Sequence, residues 1–255
     1  EREAGLKKEP VTHYRRPVEA PFTKSERGQV TILFGGLTEL HERLAQSGLR
    51  ALGYKALAIP TPVKADFQAG KEYGNNGQCN PTYFTVGALV NYLKDLRDNK
   101  GLSTEQILRD YVYITAGACG PCRFGMYESE YRIALRNSGF DGFRVLLFQQ
   151  QGGLDQAAEE AGIEFNLEFF LMFLNAIFIG DLLNAVGYQI RPYETTQGKT
   201  NEVIEKCFEI ITEALSKRYR EEAKAGAMSK LLATVAPGND EQVVAAMLDQ
   251  IRGDW

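Results

Sequence analysis

Four short apolar runs, rich in β-branched residues, alternate with segments of helical periodicity along the first part of the chain. A run of this kind is typical of a strand that is buried on both faces of a sheet. Strands that alternate with helices predict a mainly parallel sheet, whose binding residues gather beyond the carboxyl ends of the strands. The four runs cover residues 30–34, 55–59, 111–115 and 143–148, and helical patterns begin near residues 38, 82, 103 and 126.

The chain as a whole is predicted to be an α/β protein with a flavodoxin/Rossmann-like, mainly parallel sheet of about four strands and a C-terminal helical layer. We divide it into a linker or arm (1–27), an α/β domain with the cysteine loops (28–153), a helical layer (154–220) and a helical tail (221–255). The apolar run at 169–180 lies between two acidic residues and is shorter than the ~20 residues that span a bilayer, so we expect a buried helix. The helical segments expected in the layer are 154–161, 167–188 and 201–220.

The composition, net charge and first residues of the chain exclude some classes of function. The chain has 255 residues, of which 44% are hydrophobic, and it can bury a core without disulfides. A net charge of -4 argues against a general affinity for nucleic-acid phosphates. The chain begins with a charged stretch that has neither an initiator Met nor the apolar core of a signal peptide. We therefore expect a cytoplasmic fragment of a longer polypeptide, with free thiols and with neither nucleic acid nor membrane as a partner.

Three of the four cysteines lie in glycine-rich loops. Cys79 lies in the predicted loop 70–81, and Cys119 and Cys122 form a C-x-x-C motif after the third predicted strand. Because both loops are expected at the carboxyl ends of strands, the three thiols are predicted to converge as a metal or cluster ligand set. Glycines let the backbone approach a bulky centre, and the amino ends of the following helices favour thiolates. Cofactor-binding roles are assigned to Gly74, Asn76, Gly77, Gly117, Gly120 and Arg123.

Two other uses of the cysteines stay open at this point: a structural zinc site, and thiol–disulfide exchange at the C-x-x-C motif. Structural zinc takes four protein ligands, whereas the only histidines, His13 and His41, are distant from the motif in sequence. The fourth cysteine, Cys207, follows the spacing of an apolar helix face and is expected in the core. The chain contains neither the G-x-G-x-x-G spacing of a dinucleotide site nor a P-loop.

The two cysteine loops also carry a resemblance to a known family. They read Lys-Glu-Tyr-Gly-Asn-Asn-Gly-Gln-Cys79-Asn-Pro and Thr-Ala-Gly-Ala-Cys119-Gly-Pro-Cys122-Arg-Phe-Gly-Met-Tyr. In these segments the chain resembles the long, fused activator-related proteins of the 2-hydroxyacyl-CoA dehydratase system, over about residues 16–217. The resemblance implies flavodoxin-like domains that hold a four-iron four-sulfur (4Fe-4S) cluster through three cysteines, here Cys79, Cys119 and Cys122. Related proteins hold a double-cubane cluster, so the 4Fe-4S cluster expected here would correspond to one half of such a cluster.

The resemblance further implies an ATP-coupled system. In this family an iron–sulfur activator of the actin-like ATPase superfamily delivers low-potential electrons, so ATP would enter only through a partner domain. We expect the chain to relay these electrons to a small substrate or to use them on it, as part of an ATP-dependent reductase or an (R)-2-hydroxyacyl-CoA dehydratase-type system. The expected partners are the remainder of a longer polypeptide or a separate activator, together with a second copy in a homodimer. The alternative is a structural zinc-binding or non-catalytic interaction module.

Overall fold

The computed structural model of the chain describes residues 19–117, 122–149, 153–154 and 162–222, together with residues 245 and 249. The strands are β1 (Thr31–Phe34), β2 (Ala56–Ala58), β3 (Tyr111–Gly117), β4 (Val145–Gln149) and β5 (Gly153–Leu154). The helices are α1 (Glu39–Ala51), α2 (Lys64–Tyr73), α3 (Asn80–Asp98), α4 (Thr104–Asp110), α5 (Tyr127–Asn137), α6 (Leu167–Ile190) and α7 (Lys199–Glu222). Short 3-10 helices cover Lys24–Glu26, Arg123–Met126 and Arg191–Tyr193.

The predicted parallel sheet is confirmed. The strand order is β2-β1-β3-β4-β5, and the first four strands are parallel. The register places Ile32 beside Ala56 on one side and beside Val112 on the other. The chain leaves β1 toward β2 and later returns past β1 to β3, so the strand order reverses between β1 and β3. In open α/β sheets a crevice forms at the carboxyl ends of the strands where the order reverses, and ligands bind there.

A fifth strand was not predicted from the sequence. Gly153 and Leu154 pair antiparallel with Gln149 and Phe148 at the edge of the sheet. A two-residue strand has too short a pattern to be recognised by alternation of polar and apolar residues. The helical segment expected at 154–161 therefore does not start at Leu154, and its remaining residues, like the predicted arm up to residue 18 and most of the tail after residue 222, lie outside the described residues.

Successive residues of the central strands contribute their side chains alternately to two hydrophobic cores, one on each face of the sheet. Ile32 joins the core beneath α1, α6 and α7, whereas Leu33 joins the core beneath α3, α4 and α5. This alternation follows from the two-residue period of a strand. Phe22 is 1% exposed in the first core, and its carbonyl accepts a hydrogen bond from the Gly162 amide at 3.0 Å. The packed domain therefore includes residues before position 28, where the sequence places its start.

The predicted loop 70–81 is wrong in its first part, which belongs to helix α2. Residues 64–73 are helical, so the loop that carries Cys79 contains only residues 74–79. The glycines that resemble loop residues allow two helices to pack closely instead. A Cβ atom on Gly70 would lie 2.0 Å from the Tyr83 carbonyl oxygen, and one on Gly87 would lie 1.7 Å from the Asp66 carbonyl oxygen. Any larger residue at these positions would push α2 and α3 apart.

Helix α6 lies where the sequence predicts a helical segment, over residues 167–188, but it is not buried as expected. It has 24 residues and continues through Asp181, whose Oδ1 atom lies 3.1 Å from His41 Nε2. The stretch from Leu167 to Tyr193 is long and apolar enough to cross a membrane by length and composition, and only 28% of its most apolar window is buried. One face of α6 packs on α1 and α7. Most of its other face carries apolar side chains exposed to solvent, including Phe178, which is 65% exposed.

Candidate functional site

The two described cysteines of the predicted trio lie at the amino ends of neighbouring helices. Cys79 is the residue immediately before α3, and Cys122 immediately precedes the 3-10 helix Arg123–Met126 that leads into α5. Both cysteines are exposed and neither is in a disulfide. Cys119 lies outside the described residues. Two of the three predicted ligands are therefore exposed thiols, and the third is not among the described residues.

The Cys79 thiol sits in a polar environment that favours the thiolate. Its sulfur lies 3.0 Å from the Thr82 hydroxyl and 3.5 Å from the Tyr127 hydroxyl. Hydrogen bonds from the Thr82 side chain, from Tyr127 and from the Thr82 amide lower the pKa of Cys79 from 9.0 to about 7. The partial positive charge at the amino end of α3 also stabilises the thiolate. Metal and iron–sulfur ligation uses thiolates, so this environment suits a ligand.

Tyr127 connects the two cysteine segments. It is the first residue of α5, and partial burial followed by the hydrogen bond with Cys79 raises the pKa of its phenol to about 12. The charges of the Cys79 and Cys122 thiolates raise the pKa of Tyr127 further. Because its pKa is high, the phenol keeps its proton at neutral pH and can donate it to a thiolate sulfur. The rings of Phe124 and Tyr127 pack edge to face, with their centres 5.1 Å apart.

The segment before Cys79 runs along α5 in the opposite direction. At one end Asn137 donates to the Tyr73 carbonyl at 2.7 Å, and at the other Cys79 lies beside Tyr127. Between them the carboxylate of Glu130 accepts three hydrogen bonds: from the Asn75 amide N–H at 3.2 Å, from the Asn75 side chain at 2.9 Å and from the Gln78 side chain at 3.1 Å. Glu130 is 4% exposed. One buried carboxylate therefore fixes the first cysteine loop on the helix that follows the second.

Tyr83 holds the same loop from the α3 side. Its hydroxyl accepts from the Gln78 amide at 2.9 Å and donates to the Asn75 carbonyl at 3.1 Å. Three backbone groups of the loop, the N–H and C=O of Asn75 and the N–H of Gln78, are thus bonded to side chains of α3 and α5. Such support keeps the Cys79 thiol in one place before any ligand binds.

The predicted cofactor-binding residues divide into three groups. Gly77 has φ +81°, a conformation that favours glycine, and Asn76 beside it is exposed at the loop tip. Gly74 and Gly117 have packing roles, since a Cβ atom would lie 2.7 Å from the Gly70 carbonyl oxygen and 3.0 Å from the Leu147 side chain respectively. Gly120 and the side chain of Arg123 lie outside the described part of the structure.

The two described candidate ligands, Cys79 and Cys122, are exposed thiols, which is the chemistry that a thiolate-bound metal centre requires. Among residues 19–117, 122–149 and 162–222 no three His, Cys, Asp or Glu side chains form a metal-binding group, and a trio that includes Cys119 falls outside that search. Cys207 is 2% exposed in the core under α1, α6 and α7, on the face of the sheet opposite α3 and α5, as its spacing predicts. His41 contacts Thr38 and Asp181, so it is not a partner of the cysteines.

Thr82, Tyr127 and Glu130 are the site residues that the sequence analysis did not identify. Thr82 lies three residues after Cys79, the spacing at which a residue before a helix meets its first turn. Tyr127 and Glu130 are three residues apart and share one face of α5. One groove of about 460 Å³ lies between α1, α6 and α7, and another of about 400 Å³ lies between α1 and α7; neither has a cysteine in its lining.

Fold and site together define an α/β protein with a parallel sheet that presents cysteine thiols at the amino ends of α3 and of the segment leading into α5. Comparison of the chain with protein-family models, with curated proteins and with solved structures gave no match. The function therefore has to be argued from the residues of the site.

Proposed function

We propose that the chain is an iron–sulfur protein of the 2-hydroxyacyl-CoA dehydratase and activator system. In this proposal Cys79, Cys119 and Cys122 hold one 4Fe-4S cluster, or half of a double-cubane cluster. The observation that carries the proposal is the Cys79 thiol, which is exposed, preorganised and has a pKa of about 7. A thiol that serves only as a small hydrophobic core residue has none of these properties.

The hydrogen bonds around Cys79 support a redox role in particular. Donors to ligand sulfurs raise the reduction potential of a cluster because they stabilise the more negative state. Thr82 and Tyr127 are placed to act in this way on Cys79. When bound, a 4Fe-4S cluster supplies one-electron transfer at low potential. The exposure of both Cys79 and Cys122 would let a partner approach the centre closely.

The partner in this proposal is an ATP-driven iron–sulfur activator, which is either a separate chain or another part of a longer polypeptide. ATP binds to that partner, and the present chain receives low-potential electrons in the cytoplasm. The chain then relays them to a small substrate or uses them on it. Gly77 and Asn76, at the exposed tip of the loop before Cys79, belong to the surface on which this exchange would occur.

Anaerobic reduction followed by electron paramagnetic resonance tests this function. We expect the full chain, reconstituted with iron and sulfide and mixed with an activator of this system, a reductant and ATP, to show a reduced-cluster signal that requires ATP. The Cys79→Ala and Cys122→Ala variants should lose the signal. Cys207→Ala should keep it, because Cys207 lies in the core on the other face of the sheet.

Two results would contradict the proposal. Tetrahedral zinc with no redox signal would indicate the structural zinc site that the sequence left open. A cluster signal of equal size with and without ATP would exclude the activator as the electron donor.

A further inference from the structure

Helix α6 exposes an apolar face along its whole length. Seven large apolar residues of α6, and Tyr193 just after it, are between 42% and 78% exposed. Hereafter these eight residues are called the α6 face. Most of those from Leu167 to Leu182 follow one another at intervals of three or four residues, and Tyr188 returns to the same side of the helix, so they form one stripe rather than scattered positions. The α6 face consists of Leu167, Phe170, Leu174, Ile177, Phe178, Leu182, Tyr188 and Tyr193.

The opposite side of α6 is fixed on the domain by close packing. A Cβ atom on Gly48 of α1 would lie 2.4 Å from the Met172 side chain, and one on Gly180 of α6 would lie 2.3 Å from the His41 ring. Gly187 meets Ile204 of α7 in the same way, at 2.6 Å. These contacts set the rotation of α6 about its axis. The helix cannot turn the α6 face inward without losing all three.

We infer that the α6 face is the contact surface for a second copy of this chain. Large apolar side chains present roughly 150–250 Å² each, so eight that are about half exposed offer on the order of 800 Å² per copy. Stable interfaces bury about 800 Å² per partner, whereas the largest apolar patch on a monomer is about 300–600 Å². The available area matches that of one standard interface.

The charge pattern of the face is compatible with pairing to itself. The eight residues of the α6 face are uncharged. Asp181 lies within the same stripe, three residues after Phe178; its side chain is 68% exposed and its carboxylate contacts His41 Nε2 at 3.1 Å. In an antiparallel pair centred on Phe178, position 181 of one copy lies opposite position 175 of the other, so the two Asp181 carboxylates do not meet.

A membrane-crossing role fits the same helix less well. A helix that crosses a bilayer alone exposes its whole circumference to lipid, whereas α6 packs one side on α1 and α7. Those neighbours carry charged side chains close to it, such as the Arg43–Glu205 pair in the groove beside Tyr188.

Sedimentation of the full 255-residue chain over a wide dilution series tests the inference. We expect a reversible dimer. Phe178→Asp should raise its dissociation constant by roughly 100-fold or more, since loss of a central aromatic residue from both copies is typical of an interface hot spot. Leu182→Lys, a second exposed position of the α6 face, should act in the same direction. Val63→Asp is the matched control: Val63 is 60% exposed at the start of α2, and this change should leave the dimer intact.

Circular dichroism must show unchanged helix content in both α6 variants, because both side chains are exposed and their loss should not unfold the domain. A chain that stays monomeric at all concentrations overturns the inference, and so does a dimer that neither variant weakens. Flotation of the monomer with phosphatidylcholine vesicles would assign the α6 face to a membrane instead. The inference is independent of the proposed cluster, so Cys79→Ala should dimerise normally.

Discussion

Replacing Glu130 with Gln should loosen the loop that carries Cys79 while leaving the rest of the fold in place. One carboxylate oxygen of Glu130 accepts from the side chains of Asn75 and Gln78, and the other accepts from the Asn75 amide N–H. The glutamine amide retains the first acceptor and presents an N–H₂ group in place of the second. The Asn75 amide then loses its partner, and the remaining two hydrogen bonds lose their charge.

The expected cost is about 2 kcal/mol or more, since a hydrogen bond to a charged group contributes about 1.5–3 kcal/mol. On the scale of 1.4 kcal/mol per factor of ten, local opening of the loop becomes roughly 30-fold more frequent. Hydrogen–deuterium exchange of peptides that cover residues 74–79 measures this opening directly. Peptides from α6, on the other face of the sheet, should exchange at the wild-type rate.

Glu72→Gln is the matched control for this prediction. Glu72 lies on α2 beside the same loop, carries the same charge and is exposed. Its replacement should leave exchange of residues 74–79 unchanged. If Glu72→Gln and Glu130→Gln gave equal effects, or if the loop kept its protection in Glu130→Gln, the positioning role of Glu130 would be refuted.

Three further predictions concern helix packing and the Cys79 thiol. Gly87→Ala should lower the free energy of unfolding in urea by about 1–3 kcal/mol, because its Cβ would lie 1.7 Å from the Asp66 carbonyl oxygen; Gly28→Ala, which meets nothing within 4 Å, should change it little. In cluster-free protein the alkylation rate of Cys79 should rise with an apparent pKa of about 7, and Tyr127→Phe should move that pKa upward because it removes a donor to the thiolate. Since folding lowers the pKa of this thiol from 9.0, its contribution to stability should be absent below pH 7 and grow between pH 7 and 9; urea titrations of wild type and Cys79→Ala at the two ends of that range measure it.

The four parallel strands could be predicted because each is an apolar run that ends at turn residues. Helix α2 could not, since Gly70 reads as a loop residue in sequence and serves as a close-packing residue in the structure. The extent of helix α6 could be predicted, since the expected segment 167–188 and the observed helix differ only at the end. The exposure of one face could not, because an apolar helix is expected to be buried and its sequence does not show that only one side packs on α1 and α7.

The sequence singles out candidate ligands but not the residues that support them. Cys79 and Cys122 stand out because of their glycine-rich loops, and their role as ligands stays a prediction. The burial of Cys207 could be predicted from its helical spacing. Tyr127 and Glu130 act on a loop about 50 residues earlier in the chain, at separations of 48 and 52–55 positions. Pairings at such separations depend on how α5 packs against α3, which local sequence patterns do not specify.

Iron and acid-labile sulfide measured on anaerobically purified protein test the central claim most directly. The account predicts about four irons and four sulfides per chain, and none in a variant in which Cys79, Cys119 and Cys122 are all changed to Ala. Protein that contains zinc in place of iron, or a triple variant that keeps its iron, would contradict it.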